Sequence, residues 1–395
     1  MSFKERFKVI IVYLSFLHSL NHSLHLSLPA LIPLIVLEGL RYDEIGSAVS
    51  LSLLLYGSGA LTSGYLAPKI GERNGMLISI FLQGFSCFLV LLNGLLGFFL
   101  FMASLGFFGS FYHPLSNSYI YSRFEKRAGE AMGLHGIGAN VGQVIYPSLA
   151  VLVGITYGWK FAIISFGVLL ILASLVLIGF PRSDTIHEKP KVTSYFRVIS
   201  YRPFLLIAIF AIMFGLYYRG IELYLPTYLK NVKEFEIVLA GIGTSVLLAG
   251  GALGQYVGGR LGDEKGPELV LLIMSLMGFS SLLTLQFFPM MMGIMFSVFL
   301  LGLSFYAQQP ACNLFIARKF KKELLALAYG VWFLIAFGFA GISAFIAGVI
   351  GQWFGFQALF AASSMLSLSV IVIGYYIYRK ERGGRNSTAR PFSYM

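Results

Sequence analysis

Histidines are the side chains of this 395-residue chain best suited to proton or metal chemistry, and five of its six histidines lie in apolar stretches. His18, His22 and His25 follow one another at i, i+4 and i+7, so a helix would carry them along one face. An imidazole with an ordinary pKa of about 6.5 can load and release protons near neutral pH. The spacing predicts one polar stripe on an apolar helix. His113 and His135 are two further histidines, in later apolar stretches of the chain.

Arg219 and Glu222 are the ionisable residues of a later apolar stretch. Their i, i+3 spacing allows an ion pair on one helix. A neighbouring guanidinium favours the carboxylate ion and loss of water favours the neutral acid, so Glu222 is a second candidate proton carrier. Two structural alternatives remain open: a pair that only stabilises its helix, and histidines that only hydrogen-bond neighbouring helices.

The elements that position these residues follow from composition. The chain is 57% hydrophobic and 12% charged, whereas about 25% of the residues of a soluble protein are charged. About 20 apolar residues cross a bilayer as a helix. The sequence therefore predicts an all-α membrane protein with twelve transmembrane helices, at 8–37, 45–67, 75–94, 97–122, 131–157, 160–180, 204–229, 237–260, 267–288, 291–317, 325–351 and 356–378.

The positive charges predict the orientation. An even number of spans puts both termini on one side, and the segments on that side hold 24 of the 29 Lys and Arg residues. Cytoplasmic loops carry this excess, so both termini are expected in the cytoplasm of a multi-pass protein of the plasma membrane. Short basic loops also account for the net charge of +12, and no nucleic-acid partner is expected.

The long polar connection near the middle divides the spans six and six. We predict an N-terminal six-helix bundle (1–181), a cytoplasmic linker (182–203), a C-terminal six-helix bundle (204–378) and a basic cytoplasmic tail (379–395).

The two halves repeat each other. The octapeptide 64–71 after the second span reappears as 259–266 after the eighth, and Pro114 recurs as Pro310 with nearly the same offset. His22 and His25 precede Pro29 by seven and four residues, as Arg219 and Glu222 precede Pro226. The sequence thus predicts parallel repeats with one titratable pair in each half.

Both octapeptides resemble the Gly-x-Leu-x-Asp-basic-x-Gly signature of the major facilitator superfamily, although Pro68 stands where the first copy usually has Asp. Segments 18–35, 111–120, 125–147 and 217–229 are similar to fosmidomycin-resistance-type exporters, with His22 where those often have an acidic residue. The resemblance implies two pseudo-symmetric six-helix bundles whose first, fourth, seventh and tenth spans line a central cavity.

The resemblance and the repeat together select the candidate site residues. Proton coupling is expected from His22, His25, Arg219 and Glu222. Substrate binding is expected from His18, Asn21, His113, Asn117, Asn140, Gln308, Gln309 and Asn313. The gating loops are expected to use Gly64, Lys69, Gly71, Arg73, Gly259, Asp263 and Gly266.

Glycines concentrate in spans two, five, eight and eleven. Small residues allow helix backbones to approach closely. In the facilitator fold these four spans form the contact between the halves, so we expect the glycines to lie there.

The expected function is secondary active transport of a small organic solute, anionic or amphipathic, by alternating access with proton coupling and in the export direction. Proton-coupled import of an organic anion is the alternative. A His-metal enzyme within the membrane is the alternative from another class, because HxxxHxxH could bind a metal. We expect a monomer whose partners are solute, protons and lipid, with no catalytic residue, cofactor or resident metal.

Overall fold

The computed structural model describes residues 3–124, 128–182, 197–320, 322–339 and 341–386, and its long elements are all α-helices. The helices of the first half are α1 (Phe3–Leu37), α2 (Tyr42–Ile70), α3 (Glu72–Ser86), α4 (Gly94–Gly109), α5 (Tyr112–Phe124), α6 (Ala128–Tyr157) and α7 (Trp159–Val176). Those of the second half are α8 (Arg202–Asn231), α9 (Ile237–Lys265), α10 (Pro267–Phe287), α11 (Met291–Lys319), α12 (Lys322–Phe333), α13 (Ile342–Phe354) and α14 (Phe356–Asn386).

These helices form the twelve predicted membrane passages. Eleven stretches of the described residues are long and apolar enough to cross a bilayer, and the 29-residue α2 packs among them. Helices α4 and α5 make one passage, interrupted near Phe111 because Pro114 has no N–H to continue the helical hydrogen bonds. Helices α12 and α13 make another, joined through a π-helical turn at Leu334–Phe339. The fold class predicted from sequence is confirmed.

The backbone repeats between the halves. Gly71 and Gly266 adopt positive φ angles of 77° and 102° immediately before α3 and α10. Gly158 and Gly355 do the same, at 91° and 84°, before α7 and α14. Glycine adopts this left-handed conformation without strain, so it suits such short connections. The equivalent positions support the predicted parallel repeat.

The two signature octapeptides are not loops. Helix α2 continues to Ile70 and α9 to Lys265, so each octapeptide is the last turns of a helix followed by one glycine. The expectation of gating loops is corrected to helix ends joined by single-residue turns.

The domain boundaries stay predictions, because most of the predicted linker and the last residues of the tail, 183–196 and 387–395, lie outside the described residues. Helix α8 begins at Arg202, close to the predicted end of the linker. Helix α14 extends to Asn386, so the first residues of the predicted tail continue the last helix.

Gly46 and Gly57 of α2 and Gly348 of α13 lie at the contact between the halves, whereas Gly59 of α2 faces Ser110 within the first half. A Cβ atom on Gly46 would lie 2.3 Å from the Ala344 carbonyl oxygen, and one on Gly348 would lie 2.5 Å from that of Tyr42. Only glycine permits these approaches, which hold the two helices together along their length.

Most glycines of α6 and α9 lie elsewhere, so that part of the expectation is wrong. Gly138 and Gly142 face Ser15 and Ser19 of α1 within the first half. The α9 glycines pack against the α11 backbone within the second half: these are Gly250, Gly254 and Gly258. Close backbone approach is needed inside each bundle as well as between bundles, and the glycine count alone does not distinguish the two.

Candidate functional site

A cavity of about 520 Å³ lies between the halves and receives side chains from α1, α2, α5 and α6 on one side and from α8, α9, α11 and α12 on the other. Its lining extends into the π-helical turn through Ala336 and Phe337. The fold brings together many of the predicted site residues here: His18, His22, His25, His113, Asn140, Arg219, Gln308, Gln309 and Asn313. Their roles in binding and coupling stay predictions.

One wall of the cavity is a histidine cluster that joins three helices. The Nε2 atoms of His22 on α1 and His113 on α5 lie 2.9 Å apart, within hydrogen-bond distance. His18 donates from Nδ1 to the carbonyl oxygen of His135 on α6, at 3.2 Å. The rings of His18 and His135 stack with centroids 4.3 Å apart. The polar stripe of α1 therefore meets its polar partners inside the first half.

His25 stands apart from this cluster. Its Nε2 lies 3.1 Å from the Ser52 hydroxyl oxygen on α2, and its ring meets Tyr56 edge to face at 5.7 Å. It also lines a second, smaller cavity of about 60 Å³, together with Arg219 and Glu222. One member of the first-half pair, His25, thus lines the same small cavity as the pair of the second half.

Arg219 and Glu222 form the predicted ion pair on α8. Arg219 donates from an Nη atom to Glu222 Oε2 at 3.0 Å, and the side chains are only 16% and 8% exposed. Glu222 Oε1 accepts hydrogen bonds from the hydroxyls of Tyr218 and Tyr306, the latter at 2.7 Å. Three donors therefore hold the carboxylate, and its charge offsets that of the buried guanidinium.

Aromatic rings position the Arg219 guanidinium. Its central carbon lies 5.0 Å from the ring centre of Tyr218 and 4.9 Å from that of Phe337 in the π-helical turn. These are cation–π distances. Because Glu222 engages one Nη atom, the guanidinium keeps further N–H donors at the cavity.

A model of the Major Facilitator Superfamily matches residues 11–342 and 239–392, and so covers nearly the whole chain. The chain belongs to the major facilitator superfamily. It is therefore a multi-pass membrane transporter, not an enzyme. Membership also explains the six-and-six arrangement of spans around one cavity.

Two relatives by sequence match different lengths of this facilitator. The facilitator is 25% identical over 360 residues, 85% of each chain, to a Lactococcus lactis protein named a multi-drug resistance efflux pump PmrA homolog. It is 32% identical over 151 residues to the probable nitrate transporter NarT of Staphylococcus haemolyticus, which is 37% of this chain and 38% of NarT. The finer resemblance to fosmidomycin-resistance-type exporters stays a prediction.

Among solved structures, the facilitator resembles a bacterial homolog of the human lysosomal transporter Spinster, in an inward-facing and unoccupied conformation. The TM-score is 0.78 at 15% identity, over 97% of this chain and 99% of that one. At this identity the similarity establishes the fold alone.

Two predicted substrate-binding residues are not among the cavity-lining residues. Asn21 is fully buried, and its amide nitrogen donates to Gln83 Oε1 and to the Gly109 carbonyl, both at 3.2 Å. Asn117 is exposed one turn beyond His113 on α5. Helical position alone could not separate these amides from those that reach the cavity.

Of the predicted gating residues, Arg73 contacts a helix end of its own half. Arg73 donates to the carbonyl oxygens of Ile178 and Phe180 at 3.1 and 3.0 Å. Arg318 at the end of α11 donates to the Gly262 carbonyl at 3.2 Å. Asp263 itself is exposed and has no hydrogen bond or ion pair among the described contacts.

The facilitator is closed at the helix ends farthest from its termini. The Tyr224 hydroxyl donates to the Tyr42 carbonyl at 2.6 Å, and the Tyr42 amide donates to Gln352 Oε1 at 3.1 Å. Ser148 and Ser245 join α6 to α9 through hydroxyl oxygens 2.7 Å apart. The cavity lies on the terminus side of these contacts.

Sequence reasoning missed the aromatic lining of the cavity. The chain has 37 Phe and 22 Tyr residues, most of which could equally face lipid. Only the position of Tyr218, beside Arg219, was a usable signal. The lining aromatics are Tyr56, Phe214, Tyr218, Phe305, Tyr306, Trp332, Phe333 and Phe337.

Proposed function

We propose that this facilitator exports a small anionic or amphipathic solute by alternating access, in exchange for protons. The observation that carries the proposal is the cavity of about 520 Å³ in which a histidine wall of the first half faces Arg219 of the second. Ligand pockets of about 300–1,000 Å³ hold drug-sized molecules, so the space suits a small organic solute.

The cavity walls favour an amphipathic anion. Arg219 supplies N–H donors for a carboxylate or similar acidic group. The side-chain amides of Asn140, Gln309 and Asn313 offer neutral hydrogen-bonding groups around it. The aromatic lining of α8 and α11 provides apolar surface for the rest of the molecule.

Proton coupling is assigned to His22, His25 and Glu222, together with Arg219, which forms the ion pair with Glu222. His25 and the ion pair share the small cavity between the halves, so a proton gained or lost there changes contacts on both sides of the contact surface. A ligand shifts a conformational equilibrium only by binding the two states with different affinity. His25, Arg219 and Glu222 line the small cavity between the moving halves and so satisfy this requirement, and His22 lines the large cavity together with Arg219.

The direction of transport follows from the predicted orientation. If both termini lie on the cytoplasmic side of the plasma membrane, the closed contacts around Tyr42 and Tyr224 lie on the extracellular side. The cavity is then accessible from the cytoplasm. An exporter loads its solute from this state. The similarity to multi-drug resistance efflux pumps over 85% of the chain favours export. The protein is proposed to act as a monomer, since one chain contains the whole cavity.

Proton-coupled import of an organic anion is the second candidate. Arg219 favours it equally well, and the partial match to a probable nitrate transporter adds an anion carrier among the relatives. The two candidates predict opposite directions of solute movement under the same proton gradient.

The test is transport by purified protein in proteoliposomes with an imposed pH gradient and a panel of aromatic, aliphatic, anionic and cationic solutes. Export by exchange predicts that proton movement down its gradient drives anionic or amphipathic solutes the opposite way, and that Arg219→Gln abolishes this movement. Arg219→Lys is the matched control, expected to keep the charge and part of the transport. Solute movement in the direction of the protons would identify the importer. Proton-independent equilibration would contradict coupling altogether.

A further inference from the structure

Three histidines from two helices converge on one point of the cavity wall. His18 and His22 on α1 and His113 on α5 each offer a ring nitrogen, and these atoms all lie within 4.8 Å of one another. All three side chains line the cavity of about 520 Å³. His113 is 91 residues from His22 along the chain, so the group exists only in the folded protein.

We propose that His18, His22 and His113 form a binding site for a divalent transition-metal ion of the Zn²⁺ class. Imidazole nitrogen is a ligand that suits Zn²⁺, Co²⁺ and Ni²⁺. Zn–N bonds of about 2.0–2.1 Å hold the nitrogens of a tetrahedral site about 3.4 Å apart. The nitrogens of His22 and His113 are already 2.9 Å apart. The largest separation among the three, up to 4.8 Å, must close by about 1.4 Å, which rotations of the rings can supply.

The hydrogen bond of His18 prepares it as a ligand. A carbonyl oxygen can only accept, so the Nδ1 atom of His18 carries the proton that it donates to His135. Its Nε2 atom then carries the lone pair that a metal requires. A metal-binding histidine usually donates its other ring N–H to a carbonyl or carboxylate oxygen in this way, which fixes the ring.

The surroundings do not repel a cation as strongly as the net charge of the chain suggests. Among the described residues that line the cavity, Arg219 is the one Lys or Arg side chain. Its charge is offset by Glu222 at 3.0 Å. The rings nearest to the cluster are His135, stacked on His18 at 4.3 Å, and Tyr112, whose hydroxyl donates to the Leu14 carbonyl oxygen at 2.8 Å. Neither brings a fixed positive charge.

The site has an open position. Three protein nitrogens leave a tetrahedral ion one ligand short, and the missing side faces the cavity, where water or an acidic group of a solute can bind. All three ligands belong to the first half. The ion can therefore load without contact between the halves, although it shares His22 with the groups proposed to couple movement to protons.

The experiment measures Co²⁺ and Zn²⁺ binding by the purified full chain in detergent, after proteolytic removal of any polyhistidine tag and treatment with a chelator. We expect one Co²⁺ per chain with the intense visible absorption of four-coordinate cobalt, displaced by Zn²⁺. His22→Gln and His113→Gln, made separately, are each expected to weaken binding about 100-fold. His25→Gln is the matched control: it removes a histidine of the same helix and cavity, and binding should stay within about twofold.

Several results would overturn the site. Absence of cobalt absorption in the unmodified chain at millimolar Co²⁺ would do so, as would equal weakening by His25→Gln and His22→Gln. Size-exclusion profiles and thermal unfolding of the variants identify any that fail to fold, and His18→Gln then provides a third independent test. Transport assays run in the presence of chelator test the proposed function separately, so failure of the metal site leaves that proposal untouched.

Discussion

The hydroxyl of Tyr224 on α8 donates to the backbone carbonyl of Tyr42 at the start of α2, at 2.6 Å, and so ties the second half of the molecule to the first. The hydroxyl of the same Tyr42 accepts a hydrogen bond from the side-chain amide of Asn231, and its backbone N–H donates one to Gln352 Oε1. One residue of the first half therefore collects three hydrogen bonds from the second. This contact closes the cavity on the side away from the termini.

Tyr224→Phe is expected to shift the conformational equilibrium toward the state that opens on this side. Loss of one neutral hydrogen bond costs about 1 kcal/mol, which is about a fivefold change in the equilibrium. Cysteine accessibility of position 49, a buried position of α2 that lines the small cavity, would measure it. Tyr146→Phe is the control, because the Tyr146 hydroxyl contacts Ser19 within the first half. An equal shift in both variants would contradict a gating role.

Gly46→Ala is expected to open the same side more strongly than Tyr224→Phe. The new Cβ would lie 2.3 Å from the Ala344 carbonyl oxygen, and this backbone atom cannot move aside without separating α2 from α13. Gly374→Ala serves as control, since its Cβ would meet no atom closer than 3.6 Å. Spin-label distances between α2 and α13 would report the separation. Unchanged distances in Gly46→Ala would show that the helices repack around the methyl group.

Glu222→Gln is expected to abolish accumulation driven by protons while solute exchange continues. The amide keeps the shape of the side chain but loses the charge that three donors stabilise, so the site no longer changes protonation. Counterflow of labelled solute and uptake under a pH gradient would separate the two activities. Tyr306→Phe removes one of the donors and is expected to reduce accumulation only partly. Unchanged proton-driven accumulation of solute by Glu222→Gln would show that the ion pair has only a structural role.

His25→Gln is expected to flatten the pH dependence of transport between about pH 5 and 8, the range in which an ordinary histidine titrates. The groups that face it are Ser52 and Tyr56 on α2 and Arg219 and Glu222 on α8. Protonated His25 is favoured at the lower end of this range, so the unmodified protein should differ most from the variant there. Initial rates measured at equal proton gradient but different absolute pH would show it. Identical pH profiles in the variant and the unmodified protein would show that His25 does not carry the coupled proton.

The predicted orientation can be tested by labelling single cysteines. Cysteines at positions 187 and 390 should both react only from the cytoplasmic side, and one at position 41 only from outside, because the basic segments lie on the side of the termini. The native Cys87 and Cys312 are buried and can be replaced by serine for this purpose. Labelling of positions 187 and 390 from opposite sides would contradict the even number of passages.

The sequence by itself determined the architecture of this protein. Apolar runs of about 20 residues are local signals that need no tertiary information, so the twelve passages could be located within a few residues. Ionisable residues inside such runs are rare and costly, which is why the histidines, Arg219 and Glu222 could be selected before the fold was known. The repeat placed one titratable pair at equivalent positions of each half, and His25, Arg219 and Glu222 line one small cavity, while their role in coupling stays a prediction.

Tertiary structure decided which neighbour each polar side chain meets. Helical spacing gives the face of a residue but not the helix that covers that face, so it could not show that Asn21 is buried against Gln83 or that His22 faces His113. The aromatic lining was hidden for the same reason, because a ring suits lipid and cavity equally well. The signature octapeptides were expected as loops. Instead α2 and α9 continue through them beyond the apolar core, and each helix ends where a glycine, Gly71 or Gly266, adopts a positive φ angle.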